Sequence, residues 1–262
     1  MKYIPRAIAP ALATMLLCCG VVKAADVSEA PQATSGEQGW TFTAAPYLWV
    51  AGIDGTIGQS GLPPVDVDAS FSDIMKHFDV GVMGAAEARY GRLGFATDLQ
   101  YIKVSADADT PKGLLFDRLE VTSKTLSVFG AAMWRAVETP KVSVDLMAGA
   151  RLWSVETRID PVGGPLGVAD FSSTETWVDP VVGAKGRVEL PSNFYLTGWG
   201  MYGGFGVSSK ASWDVMGAVG YQVTDATSFM AGYRALGVDY KHGDFLFDVV
   251  QSGPILGALI KF

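Results

Sequence analysis

The residues of this 262-residue chain that could do chemistry are two histidines, a few loop carboxylates and a set of charges spaced at strand period. His242 stands in the run His242-Gly243-Asp244, and outer-rim hydrolysis by such a pair needs a nucleophile or a water-activating partner within hydrogen-bond reach. Ser208, Ser209 and Asp107 are the loop residues that could supply one, and a solvated polar turn is the simpler account of the run. His77 lies far away in sequence, and the only cysteines, Cys18 and Cys19, fall in the first 24 residues, so a zinc site is not expected. Asp66, Asp68, Asp107 and Asp109 could bind calcium or bridge lipopolysaccharide phosphates through cations, but no spacing matches a calcium loop. The sequence therefore assigns no catalytic residue, no metal and no cofactor.

The strand-period charges carry more. Asp145 and Arg151 share one parity, against Val142, Val144, Leu146, Ala148, Ala150 and Leu152 on the other. Asp179, Lys185, Arg187 and Glu189 likewise oppose Val178, Val182, Ala184, Val188 and Leu190. Alternate side chains of a strand point to opposite faces. A charge facing lipid at mid-membrane costs ~2–4 kcal/mol, and sorting of this kind is what that penalty produces. Glu87, Arg89, Asp98, Arg151, Asp179, Lys185, Arg187, Asp214 and Arg234 are thus predicted to face the inside of a barrel as a network of both signs. Lys103 and Lys124 break the pattern near the outer strand ends, where charges reach water. On this register Leu146 faces lipid and Met147 the lumen, so arginine should be better tolerated at Met147.

The elements that must position these charges are all strands. Residues 1–24 read as a secretory signal: Lys2 and Arg6, an apolar stretch from Ala7 to Val22, then Val22-Lys23-Ala24. Residues 25–39 read as a disordered periplasmic lead-in, and 40–262 as the barrel. After the signal no apolar run approaches the ~18 residues of a membrane helix. Ten strands are predicted, with eight or twelve as alternatives. The long connection Asp54–Phe78 is read as an outer loop with a short helix at Ser72–Phe78, although Val65–Phe71 alternates well enough to be a strand piece. Short turns at Gly91-Arg92, Glu138–Lys141, Pro191–Asn193 and Thr224–Ala226 fall on the periplasmic side. Trp40, Tyr90, Trp134, Phe194, Tyr195, Tyr221 and Phe262 lie near that side, as an aromatic girdle requires. Leu256, Ala258, Ile260 and Phe262 form an unbroken apolar row. Removing Lys2, Arg6 and Lys23, with no acidic residue in the same segment, takes the formal charge from −7 to −10. So acidic a chain is a poor nucleic-acid binder.

Pro46-Tyr47-Leu48-Trp49 with Gly52-Ile53-Asp54-Gly55-Thr56-Ile57-Gly58, and Gly203-Gly204-Phe205-Gly206 followed by Trp213 and Gly232-Tyr233-Arg234, resemble a family of uncharacterised Gram-negative outer-membrane β-barrel proteins. In that family an Asp usually precedes the Gly-Gly-Phe-Gly run, where this chain has Met201-Tyr202. The resemblance implies fold and location and brings no activity. Likeness to known barrels also implies that the row Leu256, Ala258, Ile260, Phe262 is read by the barrel-insertion machinery.

Together these readings predict an all-β, transmembrane antiparallel up-and-down barrel in the cell outer membrane. Its expected role is structural or surface-interacting, with a largely plugged polar lumen. A narrow channel for ions or small solutes is the first alternative, and a rim-located hydrolase using His242 the second. The expected partners are outer-membrane lipid, lipopolysaccharide and the insertion machinery, with no nucleic acid and a monomeric state. Arg187→Ala is expected to open a leak through the charge network, at a cost in stability.

Overall fold

The computed structural model describes residues 39–58, 64–109, 118–162 and 171–262. The expected signal segment and the lead-in up to residue 38 lie outside the described residues. The chain enters the barrel through β1 (Trp40–Trp49) and continues in β2 (Gly52–Gly58). A short β3 (Val65–Ala69) and a one-and-a-half-turn helix α1 (Phe71–Lys76) follow. The wall is then built by β4 (Phe78–Tyr90), β5 (Leu93–Asp109), β6 (Arg118–Glu138), β7 (Val142–Val162), β8 (Phe171–Glu189), β9 (Phe194–Gly203), β10 (Ala211–Gln222), β11 (Thr227–His242) and β12 (Phe245–Lys261). Each strand pairs antiparallel with the next, and β12 pairs back onto β1 to close the barrel. β1 and β2 follow one path along β12, so the closed wall has ten strands. Strands β6 and β7 run 21 residues each, about twice the ~9–11 needed to span a bilayer, so their outer ends rise beyond the membrane.

Among its described residues, the connection expected as an outer loop from Asp54 to Phe78 lies mostly in β2, β3 and α1, and the stretch Val65–Phe71 that alternates as a strand piece contains β3. β2 extends to Gly58, and β3 pairs with it from Ile53–Ala69 to Ile57–Val65. Asp66 and Asp68 therefore lie on a strand rather than in a loop. The short helix expected at Ser72–Phe78 is present as Phe71–Lys76, beginning one residue and ending two residues earlier, and is capped by Ser70, whose hydroxyl accepts from the Asp73 amide. Asp107 and Asp109 close β5, and their side chains lie outside the described residues.

Two local features shape the wall near β1. The ladder to β4 runs from Trp40–Tyr90 to Pro46–Gly84 and stops there. A proline brings no amide hydrogen to a ladder, and above it β1 and β4 part. β1 is also interrupted at Val50-Ala51, where the Val50 amide donates to the Pro254 carbonyl at 2.8 Å. Gly253 sits directly beneath: a β-carbon there would lie 1.8 Å from the Val50 carbonyl oxygen. Backbone cannot yield as a flexible side chain can, so Gly253→Ala should cost at least the ~1–3 kcal/mol of ordinary overpacking. Urea unfolding in lipid vesicles measures it, and a wild-type midpoint would contradict the close approach.

The girdle is as expected with one correction. Trp40, Tyr90, Trp134, Phe194, Tyr221 and Phe262 are exposed on the outer surface, whereas Tyr195 is fully buried. Tyr195 has the inward parity of β9, its hydroxyl bonds Ser228 at 2.9 Å, and the Arg187 guanidinium lies 3.5 Å over its ring. Closeness to a turn does not set facing; parity does. Leu256, Ile260 and Phe262 are exposed on the outer face, as their row predicts.

Candidate functional site

Strand parity brings all nine predicted charges to the interior, but it distributes them over three levels. The middle level is one connected layer centred on Arg234. Its guanidinium Nε donates to Asp214 Oδ1 at 3.1 Å, and Nη2 to Asp214 Oδ2 at 2.7 Å and to Asp98 Oδ2 at 2.5 Å. Nη1 donates to the Tyr47 hydroxyl at 2.9 Å, which itself donates to Asp98 Oδ1 at 2.6 Å. Arg151 Nη2 adds a bond to Asp214 Oδ2 at 2.6 Å, and Trp199 Nε1 one to Asp214 Oδ1 at 2.9 Å. Gln100 completes Asp98 at 3.1 Å.

These groups come from β1, β5, β7, β9, β10 and β11, so the layer spans the lumen from wall to wall. Arg234 is 0% exposed and Arg151 and Asp214 2% each. Two arginines face two aspartates, so the layer is formally neutral. The fork of a guanidinium suits this, because it bonds several planar acceptors while remaining charged. The rings of Trp49 and Trp199 lie 5.1 and 5.2 Å from the Arg234 guanidinium carbon, excluding water from its faces.

The lower level faces the short turns. Glu87 pairs with Lys185, and Asp145 is held between Arg89 at 3.0 Å and Arg135 at 2.7 Å. Arg187 pairs with Glu189 at 2.5 Å and reaches Gln222 at 3.2 Å. Glu87, Arg135, Asp145, Lys185 and Arg187 line a cavity of about 190 Å³ that Tyr47 and Trp199 also line. Arg187 therefore belongs to the lower mouth and takes no part in the Arg234 layer. The expectation that Arg187→Ala opens the network is replaced accordingly: with its pair partly exposed, that variant should lose only about 1 kcal/mol and pass no more solute than wild type. Urea unfolding and a sugar-swelling assay on the same vesicles measure both.

Above the layer the interior is apolar and aromatic, not polar as the sequence reading had it. Trp177 stacks on Tyr240 at 3.9 Å, and Trp153, Phe245 and Phe247 pack around the pair. Asp179 belongs here and pairs with no cation among the described residues. The Ser209 amide and hydroxyl both donate to it, at 2.8 and 2.6 Å. Ser209 is delivered by the Gly-Gly-Phe-Gly segment, where Gly204, Phe205 and Gly206 have φ of +83°, +50° and +73°. A left-handed turn of this kind favours glycine, which is the physical reason for the motif. Lys210, next in the same loop, pairs with Asp239 at 3.1 Å, and that hydrogen bond raises the ammonium above its ordinary range.

The groups considered for hydrolysis are not gathered. The His242 side chain is 74% exposed, with Glu175 at 3.7 Å, while Ser209 is buried on Asp179 and the Ser208 hydroxyl donates to the Val178 carbonyl. Among the described residues, no three His, Asp or Glu side chains converge as a metal ion requires. The sequence reading missed Tyr47, Trp49 and Trp199. Tyr47 and Trp49 share the inward parity of Thr43, and Trp199 that of Tyr195, so alternation alone could have placed them inside.

No protein-family model matches the chain, and no curated protein matches it in sequence. Among solved structures, the outer membrane protease OmpT from Escherichia coli superposes with a TM-score of 0.60 at 10% identity, over 86% of this chain and 98% of that one. Ail, the attachment invasion locus protein of Yersinia pestis, gives 0.37 at 14% identity over 86% and 99%. Neisserial surface protein A gives 0.32 at 19% identity over the same shares. The likeness to OmpT is one of fold: a ten-stranded antiparallel barrel of the kind that spans outer membranes.

Proposed function

We propose that this chain is a cell-outer-membrane barrel with a closed lumen, serving as a structural or surface-interaction protein. The observation that carries the closure is the Arg234 layer, which crosses the barrel with every charge paired and almost no exposed surface. An open pore would leave such groups hydrated. The exposed apolar side chains of Val178, Val182, Leu196, Val219 and Leu256 support a lipid-facing exterior. Lipopolysaccharide at the projecting outer ends and the insertion machinery at the row Leu256–Phe262 are the partners this reading implies, with the protein acting as a monomer.

The purified protein in a planar bilayer is expected to show no stable unitary conductance above background. A second reading has support in one observation: cavities above and below the layer are both lined by Tyr47, so the layer could act as the gate of a narrow channel. Reproducible ion-selective conductance from the folded wild type would favour that reading and overturn the closed one. Cell fractionation tests the location, and protein found soluble in the periplasm would contradict it.

A further inference from the structure

The two halves of the upper lumen are filled differently. On the side of β7, β8, β11 and β12 the rings of Trp153, Trp177, Tyr240, Phe245 and Phe247 pack together, each 6% exposed or less. On the side of β2 and β4–β6 the inward residues are shorter. There Ile53, Ile57, Met83, Ile102 and Val104 stay half-buried around a cavity of about 280 Å³. α1 lends Phe71 and Ile74 to its wall, and the rings of Trp49 and Phe247 border it. A concave apolar surface that the chain leaves uncovered inside its own barrel, with a few polar groups converging on it, is the form of a ligand site. The polar groups are present. Ser123 and Thr125 take successive inward positions of β6, and Gln251 an inward position of β12. None of these three side chains has a hydrogen-bond partner among the described residues. Ser127 continues the inward row of β6, and its hydroxyl is buried without a partner.

We infer that this cavity binds an uncharged, two-ring aromatic molecule bearing a hydroxyl group, which reaches it from the water outside. Four observations select this occupant. No charged side chain lines the cavity among the described residues, and a charge buried there would go unpaired. An apolar cavity of ~150 Å³ takes a benzene ring, so about 280 Å³ suits two fused rings. Ring ligands gain beyond their buried area from edge-to-face contact with rings such as Trp49, Phe71 and Phe247. A hydroxyl both donates and accepts, as the Ser123 and Thr125 hydroxyls and the Gln251 amide require. The route is aqueous, because the surface around the cavity carries the exposed or half-buried ion pairs Asp73–Lys76, Asp79–Lys103 and Lys124–Glu156. Asp73 and Lys76 stand on the same short helix that lends Phe71 and Ile74 to the cavity wall. The inference goes beyond the closed-lumen reading and does not depend on it, since binding above the Arg234 layer requires no passage through it.

The test titrates the full barrel in lipid nanodiscs with 2-naphthol at pH 7 by calorimetry, with empty nanodiscs subtracting partition into lipid. Saturable binding of one molecule per barrel is expected. Naphthalene, which lacks the hydroxyl, should bind about threefold to tenfold more weakly, the worth of a hydrogen bond. The charged 2-naphthoate should bind at least ~10-fold more weakly. Ile102→Trp fills the cavity and should abolish saturable binding, while Ser123→Ala with Thr125→Val should make 2-naphthol and naphthalene equal. Heat-modifiable mobility confirms that each variant is folded. A diazirine-bearing naphthol locates the site in the wild type whether or not Ile102→Trp folds, with label expected on Met83, Ile102, Val104 or Thr125. The inference is overturned by the absence of saturable binding to the folded wild type, or by binding that survives in folded Ile102→Trp. Naphthalene or 2-naphthoate bound as tightly as 2-naphthol overturns it as well, as does label confined to residues outside the cavity.

Discussion

Arg234→Ala is expected to be the most damaging single substitution in the lumen, losing about 3–5 kcal/mol of stability. The arginine holds Asp98, Asp214 and Tyr47 in one layer, and its removal leaves two buried carboxylates with one remaining cation, Arg151, bonded to only one of them. The net worth of a buried ion pair is small, because desolvation offsets its Coulomb energy. Breaking one from a single side is costly, because the stranded charge stays desolvated. Heat-modifiable gel mobility after urea titration in phospholipid vesicles reads the loss. Arg187→Ala is the internal comparison, since its pair is partly exposed at the lower mouth. Equal midpoints for the two variants would show that the layer is not the stabilising centre described.

The second large effect is graded by membrane depth. Val178→Arg places a charge on the outer face where Val178 pairs with Leu152, well away from the girdle, and should cost ~2–4 kcal/mol. Leu146→Arg should cost only ~0–1 kcal/mol, because Leu146 lies directly opposite the girdle residue Trp134, where an arginine reaches the interface. Thr43→Arg, inside and opposite Glu87, should be near neutral. Met147 does face inward, but it packs among Phe129, Met133, Val181 and Met201, so its expected tolerance of arginine does not follow. A charge there is buried without a partner. Folding yield into vesicles of fixed lipid composition measures the series, and equal yields for Val178→Arg and Thr43→Arg would contradict the register.

Much of this architecture was legible because the lipid penalty acts on every outward position of every strand. Asp145 against Leu146, or Asp179 against Val178, sets facing from two adjacent residues. Strand number followed from the same alternation, and the nine charges were placed inside before any partner was known. The partners themselves were not legible. Tyr47, Asp98, Asp214 and Arg234 meet across the lumen, and within-strand period says nothing of which strands face each other across a barrel. Asp179 was grouped with the cations, whereas a loop serine satisfies it. The aromatic upper lumen was missed because Trp153 and Phe247 occupy inward positions that only packing distinguishes from a polar lining. The parting at Pro46 was hidden in a motif whose proline looked ordinary, since an edge proline is harmless until the next strand leaves it.

The central claim, that the Arg234 layer closes the lumen, is tested most directly by thiol access from each side. The chain from residue 25 onward has no cysteine, so single cysteines report without background. Thr125→Cys lines the cavity above the layer and Ser143→Cys the cavity below it. With the protein inserted in one orientation in vesicles, a small membrane-impermeant thiol reagent is added to the outer-end side alone. Closure predicts modification of Thr125→Cys and none of Ser143→Cys until the vesicles are opened. Modification of both from one side, at comparable rates in folded protein, would mean that solute crosses the layer and would contradict the account.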